Sequence, residues 1–274
     1  MHSMEKTIID ANSKSILPEF REIYKFRQLL FSLAWRDVRV KYAQTYIGFL
    51  WAFINPIVNL AILGFVFGKI ATVNTEGVPH LLFTAAGLVT WTYFSTLISQ
   101  AGSSIVAAQA MIKKIYFPRL IIPISKAISG LVDFLIILIF LVILMVFYGY
   151  SPSTKIIFLP FFIVVIIISG LGGGILISAL TSRYRDFSFI VPLLTRLGMF
   201  ITPIGYSSSS VPDEWKFLYF LNPLAGIVEG FRWCLFDQSN LEPYMLYSVS
   251  LVFVILAISL LYFNKVDKVM ADIL

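Results

Sequence analysis

The sequence is poor in the side chains that carry metal, redox and proton-transfer chemistry. A single cysteine, Cys234, excludes an internal disulfide framework and any multi-cysteine metal site. Two histidines, His2 and His80, supply neither a histidine metal cluster nor a general base beside a nucleophile. No G-x-x-x-x-G-K-[ST] phosphate loop occurs, because Gly68 and Lys69 are followed by Ile70 and lack a glycine five residues upstream. The chain is therefore not expected to hydrolyse a nucleotide, and its own metal and cofactor complement is expected to be empty. Acidic side chains at Asp213, Glu214, Glu229, Asp237 and Glu242 offer material for an acid and base pair. Their simpler reading is loop charges and helix caps.

Charge is scarce as well. Charged residues make up 13% of the 274 and hydrophobic ones 58%, against about 25% and 45–50% in an ordinary soluble domain. A surplus of that size has to face lipid, and each crossing of a bilayer core takes roughly 20 apolar residues. The first twenty residues mix Glu5, Lys6, Asp10, Lys14 and Glu19 with Ser and Asn, which is not the pattern of a cleavable signal.

What is present is a series of apolar runs. Six expected spans cover about 46–67, 81–107, 120–148, 156–180, 187–206 and 244–263. The predicted fold is all-α and polytopic, with residues 1–18 as a flexible N-terminus, 19–43 as an amphipathic interface helix, and 44–274 as the transmembrane domain. Within 19–43, Phe20, Ile23, Tyr24, Leu30, Phe31, Ala34, Trp35, Val38 and Tyr42 recur at three- and four-residue steps. Arg21, Lys25, Gln28, Ser32, Arg36 and Arg39 fall opposite, as in a helix lying in the membrane interface. The segment 109–118, with Lys113, Lys114, Tyr116, Phe117 and Pro118, is too short and too charged to span. Gly170, Gly174 and Ser178 at four-residue spacing permit close helix packing. Between the last two spans, 207–236 reads as two short re-entrant helices dipping into the interface.

Net charge is +6, but its distribution says more than its sum, and no nucleic-acid partner is inferred from it. Of the 21 Lys and Arg, fifteen fall on the side of the N-terminus and four on the other, with Lys126 and Arg196 inside spans. That bias places both termini in the cytoplasm. Asp133 and Arg196 are the deepest charges, each costly unless paired or facing a cavity. They are expected to neutralise each other, with Lys126 as a rival partner for Asp133; an Arg196 that faces a pore instead suits an anionic substrate. Tyr42, Tyr46, Trp51, Phe53, Trp91, Tyr93, Phe94, Phe200 and Tyr206 have two readings: interfacial anchors, or a lining on which sugar rings stack and slide.

Several motifs carry a family resemblance. Arg36-Asp37-Val38-Arg39-Val40-Lys41-Tyr42 leads to Gly48-Phe49-Leu50-Trp51-Ala52-Phe53-Ile54-Asn55-Pro56. Lys113-Lys114-Ile115-Tyr116-Phe117-Pro118-Arg119 and Leu221-Asn222-Pro223-Leu224, followed by Glu229-Gly230-Phe231-Arg232, complete the set. In this order the chain resembles, over about residues 20–265, the membrane subunits of type 2 ABC exporters of O-antigen, capsule or teichoic acid.

The resemblance implies a homodimer in the bacterial inner membrane that encloses a channel for a lipid-linked glycan. Two copies of a separate ATPase would bind ATP and Mg. It makes 109–118 the coupling helix, with Lys113, Lys114, Tyr116, Phe117, Arg36 and Arg39 as ATPase contacts. It places Tyr42, Tyr46, Trp51, Phe53, Trp91, Tyr93, Arg196, Phe200 and Tyr206 along the channel. Trp215, Asn222, Glu229 and Arg232 fall in an outer gate, with Glu229 and Arg232 spaced to pair across one turn. The alternatives are a type 2 exporter of a compact drug or lipid, which needs a pocket, and a membrane-embedded glycosyl or phosphoryl transferase, which needs clustered acids.

Overall fold

The computed structural model describes residues 20–43, 50–70, 75, 77–236 and 242–270, and every regular element among them is helical. Two helices, α1 (Phe20–Lys25) and α2 (Arg27–Ala43), precede α3 (Trp51–Phe65), which continues into a π turn at Val66–Ile70. Next come α4 (His80–Ala107), the single turn α5 (Gln109–Ile112), α6 (Ile121–Phe147), α7 (Leu159–Arg183) and α8 (Phe187–Ile201). The short helices α9 (Asp213–Phe220) and α10 (Pro223–Phe236) lead to α11 (Met245–Asp267).

Four stretches, His80–Ala107, Ile121–Phe147, Thr154–Arg183 and Met245–Asp267, are long and apolar enough to cross a membrane. The chain is a multi-pass membrane protein. The other two expected spans fall on shorter apolar helices, Phe53–Gly68 and Phe187–Ile201. The fifth stops at Ile201 rather than Tyr206 because Thr202 turns extended, the conformation that a following proline, here Pro203, favours. At 1.5 Å per residue α8 is only about 22 Å long.

Small residues set the packing. A Cβ added at Gly174 would lie 2.6 Å from the Ala101 Cβ, and one at Gly170 2.7 Å from Leu97 Cδ2. On the neighbouring side, a Cβ at Gly172 would come within 3.2 Å of the Leu256 backbone. Glycine thus lets α7 approach both α4 and α11 at backbone distance, as the four-residue spacing predicts.

Two apolar clusters follow. One, at the end that carries α1, α2 and α5, gathers Leu30, Leu33, Ile112, Phe117, Ile121, Ile175 and Phe263. The other fills the middle and far end around Phe134, Phe162, Phe220 and Phe231.

Two expectations need correction. The stripe read as one lipid-facing side of 19–43 is divided: Leu30, Leu33 and Ala34 are buried, while Tyr24, Phe31 and Trp35 point away from the protein. Of the two helices expected to dip into the interface, α9 has exposed Trp215, Phe217 and Leu218, but α10 is buried around almost its whole girth. Gly226 and Gly230 explain the burial of α10. Ser248 and Met245 press on the first, Phe162 and Met245 on the second.

Candidate functional site

Helices α3 and α8 both lean on α4 and leave their opposite faces open. On α3, Pro56, Leu60 and Leu63 are buried, while Trp51, Asn55, Val58, Asn59, Ile62 and Phe65 are exposed at helical spacing. On α8, Val191 is buried and Gly198 receives the Trp91 ring, whose Cη2 would lie 2.8 Å from an added Cβ. Its exposed face carries Phe189, Leu193, Arg196 and Phe200. Asn55, Asn59 and Arg196 are polar groups projecting from apolar helices, and Arg196 has no ion-pair partner among the described residues. Lipid is a poor neighbour for such a surface.

The aromatic residues expected along a channel separate into groups. Trp51 and Phe200 are exposed on these open faces, and Phe53 is half-buried beside them. Trp91 and Tyr93 are enclosed by the chain's own helices, at 7% and 3% exposure, so the lining role expected of them is corrected. Tyr93 packs edge-on against Phe134 and donates its hydroxyl to the Ala127 carbonyl at 3.2 Å. Tyr42 and Tyr206 are engaged in internal networks described below. Tyr46 lies outside the described residues.

At the α5 end, Lys113, Lys114, Ile115 and Tyr116 form an exposed tip. Ile112 before it and Phe117 after it are both buried in the cluster beneath, and Arg119 is held by the Asp267 carboxylate at 3.1 Å and by the Asp267 carbonyl. The tip is therefore braced on both flanks. Phe117, expected as a partner contact, is one of the braces. Arg36 and Arg39 are exposed on α2, Arg36 paired with Asp37 at 3.1 Å.

The deep charges are paired across helices. Lys126 binds Asp37 at 2.6 Å, and Asp133 takes Lys41 at 2.5 Å together with the Tyr42 hydroxyl. Neither the expected Asp133–Arg196 neutralisation nor the rival Lys126–Asp133 pair forms. The partners come from α2, some 90 positions earlier in the chain, a separation that spacing along one helix cannot reveal.

At the far end a buried network joins four segments. Arg232, 3% exposed, donates to the carbonyls of Phe83 (3.2 Å), Ile204 (2.7 Å) and Tyr206 (3.1 Å). Its guanidinium stacks 3.5 Å from the Phe83 ring centre and lies 3.5 Å from Glu229, as the three-residue spacing predicts. Glu229 in turn accepts from the Ser208 amide at 2.9 Å. Asn222 caps α10 through the Leu224 amide and ties it to Thr202 at 3.1 Å. Trp215 lies outside this network on α9.

Three of the five carboxylates are committed to cations, Glu229 to Arg232, and Asp213 and Glu242 to Lys216, while Glu214 is exposed on α9 and Asp237 lies outside the described residues. Those three do not assemble an acid and base pair among the described residues. Among the described residues no group of three or more His, Cys, Asp or Glu is placed to hold a metal ion. Sequence reading passed over Asn55 and Asn59 as site residues, although two asparagines four apart inside an apolar run are a readable signal. Arg119–Asp267 had none.

Residues 28–236 match the ABC-2 type transporter family. The chain is 28% identical over 237 residues to the O-antigen export system permease protein RfbA of Myxococcus xanthus, covering 85% of this chain and 90% of that one. A Klebsiella pneumoniae protein of the same name is 28% identical over 249 residues, 90% and 95% of the two chains. The polysialic acid transport protein KpsM of Escherichia coli is 24% identical over 196 residues, 71% and 76%. With the match running from α2 through the buried α10, the chain belongs to the family of ABC-2 type transporter membrane proteins.

Proposed function

We propose that this chain is the channel-forming subunit of an ATP-driven exporter that moves a lipid-linked polysaccharide out of the bacterial cytoplasm. Two copies would enclose the path, each closing the other's open α3 and α8 faces, and all six apolar helices would cross the inner membrane. The observation that carries the reading is the exposure of Asn55, Asn59 and Arg196 on apolar helices beside Trp51 and Phe200. A second copy and a hydrated lumen would give these groups the polar surroundings that lipid denies them. Aromatic faces with polar neighbours suit sugars, whose C–H faces are apolar and whose rims are hydroxylated, and Arg196 suits the anionic linkage of a lipid carrier.

Lys and Arg bias supports a cytoplasmic position for the braced tip and both termini. Two copies of a separate ATPase, holding ATP and Mg, would dock against Lys113, Lys114, Ile115 and Tyr116. Arg36 and Arg39 are exposed on the same side. The names of the relatives, which export O-antigen or transport polysialic acid, support a polymeric glycan over a compact drug or lipid.

The test uses the chain with its ATPase in cells that make the polymer, in a Cys234→Ser background. Asn59→Cys is expected to form a disulfide between copies or to react with a membrane-impermeant thiol reagent, whereas Val164→Cys, exposed on α7, does neither. Polymer should reach the cell surface only when both proteins are present. An Asn59→Cys variant that neither crosslinks nor reacts, or polymer export without this chain, refutes the proposal.

A further inference from the structure

Two ion pairs fasten α2 to α6 with opposite polarity. Asp37 accepts from Lys126 at 2.6 Å; one helical turn later Lys41 donates to Asp133 at 2.5 Å, and the Tyr42 hydroxyl closes on the second Asp133 oxygen. Three of the four charged side chains keep only about a fifth of their surface exposed: 19% for Asp37, 20% for Lys126 and 18% for Asp133. Asp133 lies about 18 Å along α6 from Ile121, well inside an apolar helix.

The order of the charges encodes a register. Along α2 the acid comes before the base, and along α6 the base comes before the acid. A slip of α2 in one direction carries Lys41 toward Lys126, and a slip in the other carries Asp37 toward Asp133. Either slip sets like charges together in a place of low dielectric. Apolar contact through Leu30, Leu33 and Ala34 has no such discrimination, since neighbouring turns offer similar surface. Fixing a register is among the best-attested uses of sequestered ion pairs.

We infer that the crossed pairs Asp37–Lys126 and Lys41–Asp133 key α2 to α6 as one moving body, which rests on the transport reading above. The tip at 113–116 is continuous with α6 through the anchored Phe117, Leu120 and Ile121. A displacement of the tip therefore reaches α2 through α6, and α6 also packs against α3. Asp37, Lys41, Lys126 and Asp133 are positioning residues: they deliver motion to the open face rather than touch the polymer.

The experiment uses the complete exporter in proteoliposomes and reads polymer exported per ATP hydrolysed. Asp37→Lys, Lys126→Asp, Lys41→Asp and Asp133→Lys are made singly, and each pair is also reversed together. Single reversals are expected to assemble with the ATPase and keep turnover within about twofold of wild type, while export per ATP falls roughly tenfold or more. Each double reversal restores the ratio to within about threefold of wild type. Asp133→Asn, which keeps shape and an acceptor for Tyr42 but no charge, also lowers the ratio.

Normal export per ATP in the single reversals overturns the inference. So does a double reversal no better than its singles, or a proportional loss of turnover and export. A wild-type complex that hydrolyses ATP but exports no polymer sinks the transport reading instead, so the two failures are separable.

Discussion

Replacing Arg232 by Met removes a buried cation while keeping much of its volume. Arg232 satisfies the carbonyls of Phe83, Ile204 and Tyr206 and faces Glu229, and α10 is enclosed around it. Breaking such a pair from one side costs about 3–5 kcal/mol, because the partner's charge stays buried. At roughly 2–4 °C per kcal/mol for a chain of this size class, the melting temperature should fall by about 6–20 °C. The Arg232→Met/Glu229→Gln double variant leaves no isolated charge and should recover about 1–3 kcal/mol of that loss, read as the coupling of a double-mutant cycle.

Cys234 reports the transition directly. It is the sole cysteine, lies two residues beyond Arg232 and is fully buried. A fluorogenic thiol dye added to detergent-purified protein during a thermal ramp therefore reads the release of α10. An Arg232→Met melting point within about 2 °C of wild type, or a double variant no more stable than that single one, would refute the account of the network.

Three further outcomes follow from the same geometry. Gly174→Ala must part α4 and α7, since the new Cβ would lie 2.6 Å from that of Ala101; a cost of about 1–3 kcal/mol is expected in the same dye assay, and an unchanged midpoint would show that the helices move apart freely. Burial pushes the Cys234 thiol up to about 11 against a smaller opposing pull from Lys155. Its thiolate fraction at pH 7.5 is then roughly 100-fold below that of a thiol with the ordinary value of 9.0, and modification of the folded protein should quicken about tenfold per pH unit between 7.5 and 9.5; a rate independent of pH contradicts this. Lys113→Glu/Lys114→Glu changes only exposed groups on a braced tip, so the melting point should hold within about 2 °C while ATPase binding in a pull-down drops; retained binding would move the docking surface elsewhere.

Helix existence was legible because long apolar runs have one solution in lipid, where every backbone polar group needs an internal partner. The starts at His80 and Ile121 fall within a residue of expectation. Glu229 and Arg232 were legible because three residues along one helix fix their proximity.

The misreadings share a cause. Trp91 and Tyr93 resemble a lining when only their own helix is considered, but Gly198 and Gly130 on other helices open notches that receive them. Phe117 sits among basic residues in sequence, yet it is buried in a cluster that also holds Phe263, Val266 and Met270 from α11 and just beyond it. Asp133 found its partners 91 and 92 residues away. In each case the deciding neighbour belongs to a different element, and local pattern is silent about it.

The open helices are also the pliable ones. Pro56 lies inside α3 and Pro192 inside α8, where a missing N–H loosens the helical ladder. α3 further ends in a π turn, and its Phe67 seats on Gly205 in the segment fastened by Arg232. By contrast α4, α7 and α11 are locked by small-residue contacts, and α6 is keyed to α2 by charge. On the proposed transport reading this divides the labour. A push at the tip travels through stiff, closely packed helices, and the two bendable ones that carry Asn55, Asn59 and Arg196 change shape. The Arg232 network sets how much the far end yields when they do. On that reading, a polymer advancing in steps would meet a wall that is rigid where force enters and compliant along α3 and α8.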